Sequence, residues 1–539
     1  MTQLRWVRCL LVVTFVLSAA AVVARAAIGP FRLFLSVNSP LVSEGICALA
    51  ATLLLLLSRS GEIRRSPKVR TGGLIAVLLV TALCLLPILS FPLVCDEYVL
   101  AVLARKMGPQ AMWHFLTHAG EDHFFRPLAD TSLALDRVAG WHLLSLVLHL
   151  INTALVFVFS WRLFRSAGAA FWAAAFFGIH GTRAESVALL ARFDQLATLF
   201  VLGGLLLFDQ YLESRRGGLL AASCVAMLCG LLSKESAYVF PLLALWLLAF
   251  RGQWTRARIR DTVPFFAITA ATFVYRWTLL GGIGGYTDRA TGRPQILNIH
   301  VLALLKSLSL RLWGILYFPI NWSEQPEPWL AAAMSAAVLA LLGLTLRART
   351  GWRITGFAVA FTLVASLPVA HMLLIGADLR GAAHVYLPSV GFCLLLGLAI
   401  DNVGRTVLPS ALMSKKAPAA LADGKTVRPT IGAALLVFQV AALLHNNLIW
   451  SRAAQLADRE CRIIAREAVR SGKATVVQDP PRILNGIAFF ANGLPECVAM
   501  QSAGAAATVE FGPKLSSPAP GTPVFVWNDS SQRFELRQK

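Results

Sequence analysis

The chain has 539 residues, 57% of them apolar and 14% charged, with a formal net charge of +21. Repeated apolar runs near the ~20 residues needed to cross a bilayer exclude an ordinary soluble globule. The surplus of Lys and Arg falls in short clusters between those runs, the pattern that positive-inside topology leaves, so nucleic acid is not an expected partner.

Apolar segments at 10–28 and 41–58 form a hairpin. Arg5, Arg8 and the Ala-rich run after them resemble a signal peptide, but a second span so close behind favours a retained helix. The hairpin ends on Arg59, Arg64, Arg65, Lys68 and Arg70, which assigns that loop to the cytoplasm and closes a first unit at 1–72. The next span, about 73–94, then leaves the cytoplasm and delivers Asp96 and Glu97 to the far face. Residues 95–140, with His114, His118 and His123, are too polar to cross and read as an outer loop with surface helices. Further spans are expected at 141–163, 168–180, 194–211, 217–232, 236–250, 262–281, 329–346, 355–370, 386–400 and 430–447. The run 301–319 is interrupted by Lys306 and Arg311 and reads as interfacial or re-entrant. The fold class is therefore an all-α polytopic membrane protein with about 13 transmembrane helices, its membrane domain at 73–449.

After Trp450 the composition turns globular. An amphipathic helix at about 451–471, strands in "ATVVQ" and "IAFF", and a hairpin in "VFVWNDSSQRFEL" predict a small extracytoplasmic α/β domain at 450–539. Cys461 and Cys497 are able to pair there, and two free thiols are an equal alternative. The seven other cysteines lie in or beside apolar spans without metal-binding spacing.

Ionisable groups in or beside spans cost roughly 2.5–3.5 kcal/mol each, so they face protein or water and usually have a task. His142, Ser145, His149 and Asn152 recur along one helical face. Ser145 and Asn152 read as a helix-packing seam, while His142, nearest the outer end, is equally a seam or a site residue. "HGTRAESVALLARFDQ" crowds His180, Arg183, Glu185, Arg192 and Asp194 together, and in a helix Glu185 and Arg192 would share a face and pair. Lys234, in "LSKES", sits at a span end where snorkelling is the usual fate. Arg276, in the outer half of its span ahead of Tyr286, Arg289 and Arg293, offers a planar fork suited to phosphate. Asp378, Arg380, His384 and Tyr386 stand at the outer end of span 386–400.

Carboxylates beside guanidinium and imidazole groups at one membrane face suit a lipid-borne anionic substrate. Sugar transfer from a polyprenyl phosphate needs a carboxylate to take the acceptor proton and cations to hold the phosphate leaving group. There is no P-loop and no GxGxxG after a strand.

Several strings in order carry a family resemblance: "CDEYV" at 95–99, "FFRPLADTSL" at 124–133, "WHLLSLVLHLINTALV" at 141–156, "GIHGTRAESVALLARFDQLATLF" at 178–200, "LLSKES" at 231–236 and "VYLPSVGFCLL" at 385–395. Over about 90–400 the chain resembles GT-C fold membrane glycosyltransferases, most closely the transmembrane O-mannosyltransferases with tetratricopeptide repeats and their bacterial relatives. The resemblance implies an inverting hexosyltransferase using polyprenyl phosphate-linked sugar, mannose in that family, on the periplasmic or extracellular face of a plasma membrane. It implies Asp96 as catalytic base, Glu97 as its support or an acceptor contact, and Arg126, His180, Glu185, Arg192, Asp194, Lys234 and Tyr386 around the substrate cavity. The family has an acid and an arginine shortly before "YLPS", where this chain has Ala382 and Ala383; Arg380 and His384 are the adjacent cationic candidates. The repeat domain is absent, and the acceptor, protein or glycan, is not specified. No cofactor is required by these parts, and adjacent acids leave a divalent cation open. A cell-surface glycan polymerase or ligase, and a lipid or solute transporter, are the alternative functions.

Overall fold

The structure is a computed structural model that describes residues 67–106, 111–118, 124–133, 140–285, 294, 301–321, 351–371, 379–406, 427–502, 504, 506–510 and 521–537. The expected spans 10–28, 41–58 and 329–346, and His123, Tyr286, Arg289, Arg293 and Asp378, lie outside the described residues.

The first described helix, α1, covers Pro67–Leu85 and passes into a 3-10 turn at Leu86–Ser90. Three short helices follow in the outer segment: α2 (Asp96–Lys106), α3 (Ala111–Thr117) and α4 (Pro127–Ser132). The bundle continues with α5 (Leu143–Phe164), α6 (Ala167–Gly178), the short α7 (Arg183–Ala188), α8 (Phe193–Ser214), α9 (Gly217–Leu231) and α10 (Phe240–Phe250). It proceeds through α11 (Arg256–Arg260), α12 (Val263–Leu280), α13 (Val301–Lys306), α14 (Leu312–Tyr317), α15 (Gly351–Ser366) and α16 (Pro388–Thr406). Among the described residues four helical stretches are long and apolar enough to cross a membrane: Thr71–Ser90, Leu143–Phe164, Phe193–Ser214 and Arg256–Leu280. The expected span at 168–180 is the 12-residue α6, about 18 Å of helix against a hydrocarbon core of about 30 Å.

Small residues explain how α6 fits the bundle. Its Ala-rich stretch is buried nearly all round, and a Cβ on Gly397 of α16 would collide with the Ala169 carbonyl. The two helices therefore meet backbone to backbone, as small-residue seams allow in membranes. Ser166 caps α6 by accepting the Ala169 N–H.

α17 runs unbroken from Val427 to Ser471. The sequence predicts a span and a separate amphipathic helix meeting near 450, but no proline or glycine lies between Gly432 and Gly472 to stop helical hydrogen bonding. The unit expected at 450–539 thus begins inside a helix. Beyond it come β1 (Thr475–Gln478), the two-residue strands β2 (Ile483–Leu484) and β3 (Ile487–Ala488), α18 (Leu494–Gln501), β4 (Ala507–Glu510), β5 (Val524–Asn528) and β6 (Arg533–Leu536). The sheet order is β4-β1-β5-β6, with β1 parallel to β4 and β5, and β5 antiparallel to β6. The hairpin read from "VFVWNDSSQRFEL" is β5–β6, with Asn528 opposite Arg533. Cys461 of α17 is disulfide-bonded to Cys497 of α18.

At the end of the bundle away from Asp96, Asp209 joins three segments. Its carboxylate, 1% exposed, accepts from Arg162 Nε at 2.6 Å and from Arg251 Nε and Nη2 at 2.7 and 2.9 Å. Removing the anion leaves Arg251, 19% exposed, without its carboxylate, and Arg162 with Glu213 alone, at 2.8 Å. Asp209→Ala is expected to destabilise the bundle by about 2–4 kcal/mol, read as a lowered thermal unfolding midpoint in detergent; an unchanged midpoint would show that the clasp is dispensable.

Candidate active site

Asp96 and Glu97 open α2, where the N-terminal N–H groups of a helix favour negative charge. The two acids have different surroundings. Glu97 is wholly buried, and its Oε2 and Oε1 accept the backbone N–H groups of Val94 at 2.8 Å and Leu190 at 3.0 Å. Asp96 is exposed, and its Oδ1 accepts from Asn492 Nδ2 at 2.8 Å. Neither acid pairs with the cations that the sequence places in their company; Glu97 is a bracket between α2 and the segment after α7.

Those cations meet instead around "LSKES". Lys234, 4% exposed, donates to Asp194 Oδ2 at 2.5 Å and to His384 Nδ1 at 3.1 Å. Snorkelling is therefore corrected: the ammonium points into protein because a carboxylate and an imidazole replace its water. The next residue, Glu235, accepts from Arg126 Nε and Nη2 at 3.1 and 2.9 Å and pairs with Arg276 at 3.4 Å. Arg126 lies between the faces of Phe124 and Phe193, 4.0 and 4.6 Å from the ring centroids. Lys234, Asp194, His384, Arg126 and Arg276 are thus brought together, and Glu235 joins them. Sequence reasoning passed over Glu235, although its place beside Lys234 at a span end was the available signal.

The helix α7 stops at Leu189, which is extended, so Glu185 and Arg192 do not share a helical face and do not pair. Glu185 accepts the backbone N–H groups of Gly381 at 3.0 Å and Ala383 at 2.7 Å. Arg192, 1% exposed, donates to the Ser132 carbonyl at 3.1 Å. Arg380 is half-buried in the same turn that Glu185 holds.

Other candidates are built into the scaffold. His142, fully buried with φ 69°, bonds the Phe91 carbonyl through Nε2 at 3.3 Å. His180 bonds the Thr182 hydroxyl and the Leu316 carbonyl, both at 2.8 Å. Tyr386 bonds His149 Nδ1 at 2.6 Å, and Asn152 donates to the Tyr386 hydroxyl at 3.3 Å and the Gln195 carbonyl at 2.9 Å. The polar seam expected of Ser145 and Asn152 is present, with Ser145 reaching the Leu189 carbonyl at 3.5 Å.

Glu97 and Lys234 occupy the same end of the bundle. Glu97 holds Leu190 and Lys234 holds Asp194, and these partners are four residues apart, a reach of at most about 14 Å. A cleft of about 510 Å³ opens beside α2, bounded by Phe91, Tyr98, Trp141, Asp458 and Arg462. Among the described residues no three His, Cys, Asp or Glu side chains gather as metal ligands would.

No protein-family model matches the chain. Over 135 residues it is 31% identical to Protein O-mannosyl-transferase Tmtc1 of Drosophila melanogaster, a match covering 24% of this chain and 16% of that protein. The chain resembles a protein O-mannosyl-transferase. The match spans less than a fifth of the relative's length. Among solved structures, apo ArnT from Cupriavidus metallidurans aligns with a TM-score of 0.44 at 15% identity, over 85% of this chain and 94% of that one. The undecaprenyl phosphate-bound form of ArnT aligns with a TM-score of 0.42 at 16% identity, over the same shares.

Burial pushes Glu97 up from its ordinary value near 4.5 to about 8, against the pull of its two N–H donors. Burial also raises Glu185, in the loop between spans, to about 7. His384 is held well below the ordinary imidazole range by burial and by the charges of Lys234 and Arg126, so it stays neutral and accepts from the ammonium. Between pH 4.5 and 8 folded Glu97 keeps a proton that unfolded Glu97 has lost. Its stabilising share is complete below pH 4.5 and is lost as pH rises through about 8. The thermal midpoint should fall over that window, and Glu97→Gln should make the fall shallower, with Glu185 supplying the remainder. Equal slopes in both proteins would remove Glu97 as the titrating group.

Proposed function

We propose that the protein is an integral membrane glycosyltransferase that moves a hexosyl group, mannose by resemblance, from a polyprenyl phosphate to an acceptor hydroxyl. The observation that carries this reading is the buried cluster of Lys234, Asp194 and His384 with Arg126, Glu235 and Arg276, at the bundle end that also bears Asp96. Arg126 and Arg276 share the one carboxylate of Glu235, an arrangement that suits an anionic group arriving from the membrane.

In this reading Asp96 accepts the proton of the acceptor hydroxyl as its oxygen attacks the anomeric carbon. The bond from that carbon to the phosphate oxygen breaks, its electron pair leaves with the polyprenyl phosphate, and the configuration inverts. Lys234, Arg126 and Arg276 stabilise the charge that develops on the leaving group. Glu97 serves through position, fixing α2 to the segment at Leu190.

The similarity to Tmtc1, whose name records O-mannosyl transfer, supports the sugar and the hydroxyl acceptor. The Cys461–Cys497 disulfide supports an oxidising, extracytoplasmic setting for the unit beside Asp96. In a bacterium that setting is the periplasmic face of the inner membrane.

The test is transfer by purified protein from polyprenyl phosphate mannose to a panel of acceptors. Asp96→Asn, which keeps the side-chain shape and an acceptor for Asn492, is expected to lower turnover at least about 100-fold without moving the thermal midpoint. Undiminished turnover in that variant would dismiss Asp96 as the base.

A further inference from the structure

We infer that the C-terminal unit completes the active site, with Asn492 as a positioning residue for Asp96. The inference deepens the glycosyltransferase reading and rests on Asp96 being its general base.

An exposed aspartate at a helix start samples several rotamers, and a base must be aimed before it is useful. Asn492 Nδ2 bonds Asp96 Oδ1 at 2.8 Å, and among the described residues no hydrogen bond reaches Oδ2. One oxygen is thereby fixed and the other left for a substrate hydroxyl. The donor is a neutral amide. A lysine or arginine at this place would also orient the carboxylate, but its charge would weaken the base.

The loop that carries Asn492 is held by its neighbours. The next residue, Gly493, has φ +82°, and a Cβ there would collide with the Cys95 carbonyl oxygen, so glycine is what lets this loop touch the start of α2. The Gly493 carbonyl accepts the Cys497 N–H at 2.9 Å, and Cys497 is bonded to Cys461 of the long helix α17. Asn321, after α14, donates to the Asn485 carbonyl at 2.9 Å and provides a second tie between the unit and the bundle. The loop that aims Asp96 is in this way bolted to a helix that continues back into the membrane bundle.

A contact that only docked the unit would behave differently from one that aims a base, and steady-state kinetics on the full chain in lipid nanodiscs separates them. Asn492→Leu should lower kcat about 10- to 100-fold, with both KM values within about twofold and the thermal midpoint held. Asn492→Gln, which keeps the amide donor, should recover part of the loss. In an Asp96→Asn background Asn492→Leu should cost nothing more, because both changes disable one device. Wild-type kcat in Asn492→Leu, a loss confined to KM or the midpoint, or an additive loss in the double variant would overturn the inference. If Asp96→Asn abolishes transfer while Asn492→Leu keeps the wild-type kcat, the inference fails alone. If Asp96→Asn retains full transfer, or the wild-type protein transfers nothing, both readings fall together.

Discussion

A lysine ammonium inside an apolar bundle keeps its charge only where protein groups replace its hydration. Lys234 meets that condition through Asp194 and His384, and the arrangement of the whole end of the bundle follows from it. Three segments must converge: the start of α8, the turn after α9 and the 3-10 turn at Ala382–Val385. Glu235, one residue on, has to point the other way, and it recruits Arg126 from the outer segment and Arg276 from α12. A buried charge thus adds directional ties to elements that Glu185 and Asn152 also hold by hydrogen bonds.

The two ends of the bundle use the same physics for different ends. Around Asp209 the charges hold one another, Arg162 and Arg251 on one carboxylate and Arg162 also on Glu213, and the set ties helices together. Around Lys234 the charges are paired as well, while Asp96 stands apart with one oxygen engaged by a neutral donor. Paired charges suit a clasp; a base free to accept a proton suits a reacting site. Ala382 and Ala383 fit this division. Both are buried, and the peptide groups of Gly381 and Ala383 donate to Glu185, so the turn before "YLPS" is held by main chain where the resembling family has charged side chains.

Much of the fold was legible because lipid leaves few options. Apolar length and basic clusters located most of the helices, and short strand-like runs with a turn between the last two found β1 and the β5–β6 hairpin. The continuity of α17 through Trp450 escaped, since composition shifts there while helical hydrogen bonding does not. The candidate residues were also legible as types: the cost of charge beside spans singled out Asp194 and Arg276, while Arg126 and a site role for Lys234 came with the family resemblance. Their pairing was not, because Glu185 and Arg192 look like helical neighbours until Leu189 turns extended.

From the residues alone came the membrane, the helices and the set of charged groups at one face, since burial and hydration costs act locally along the chain. Tertiary structure decided which charge meets which. It turned Glu97 to two backbone N–H groups and left Asp96 to face Asn492, 396 residues away. Cys461 and Cys497, open to pairing or not in the sequence, became the bond that secures that loop. Contacts at such separations depend on where whole segments pack, and no local pattern records that.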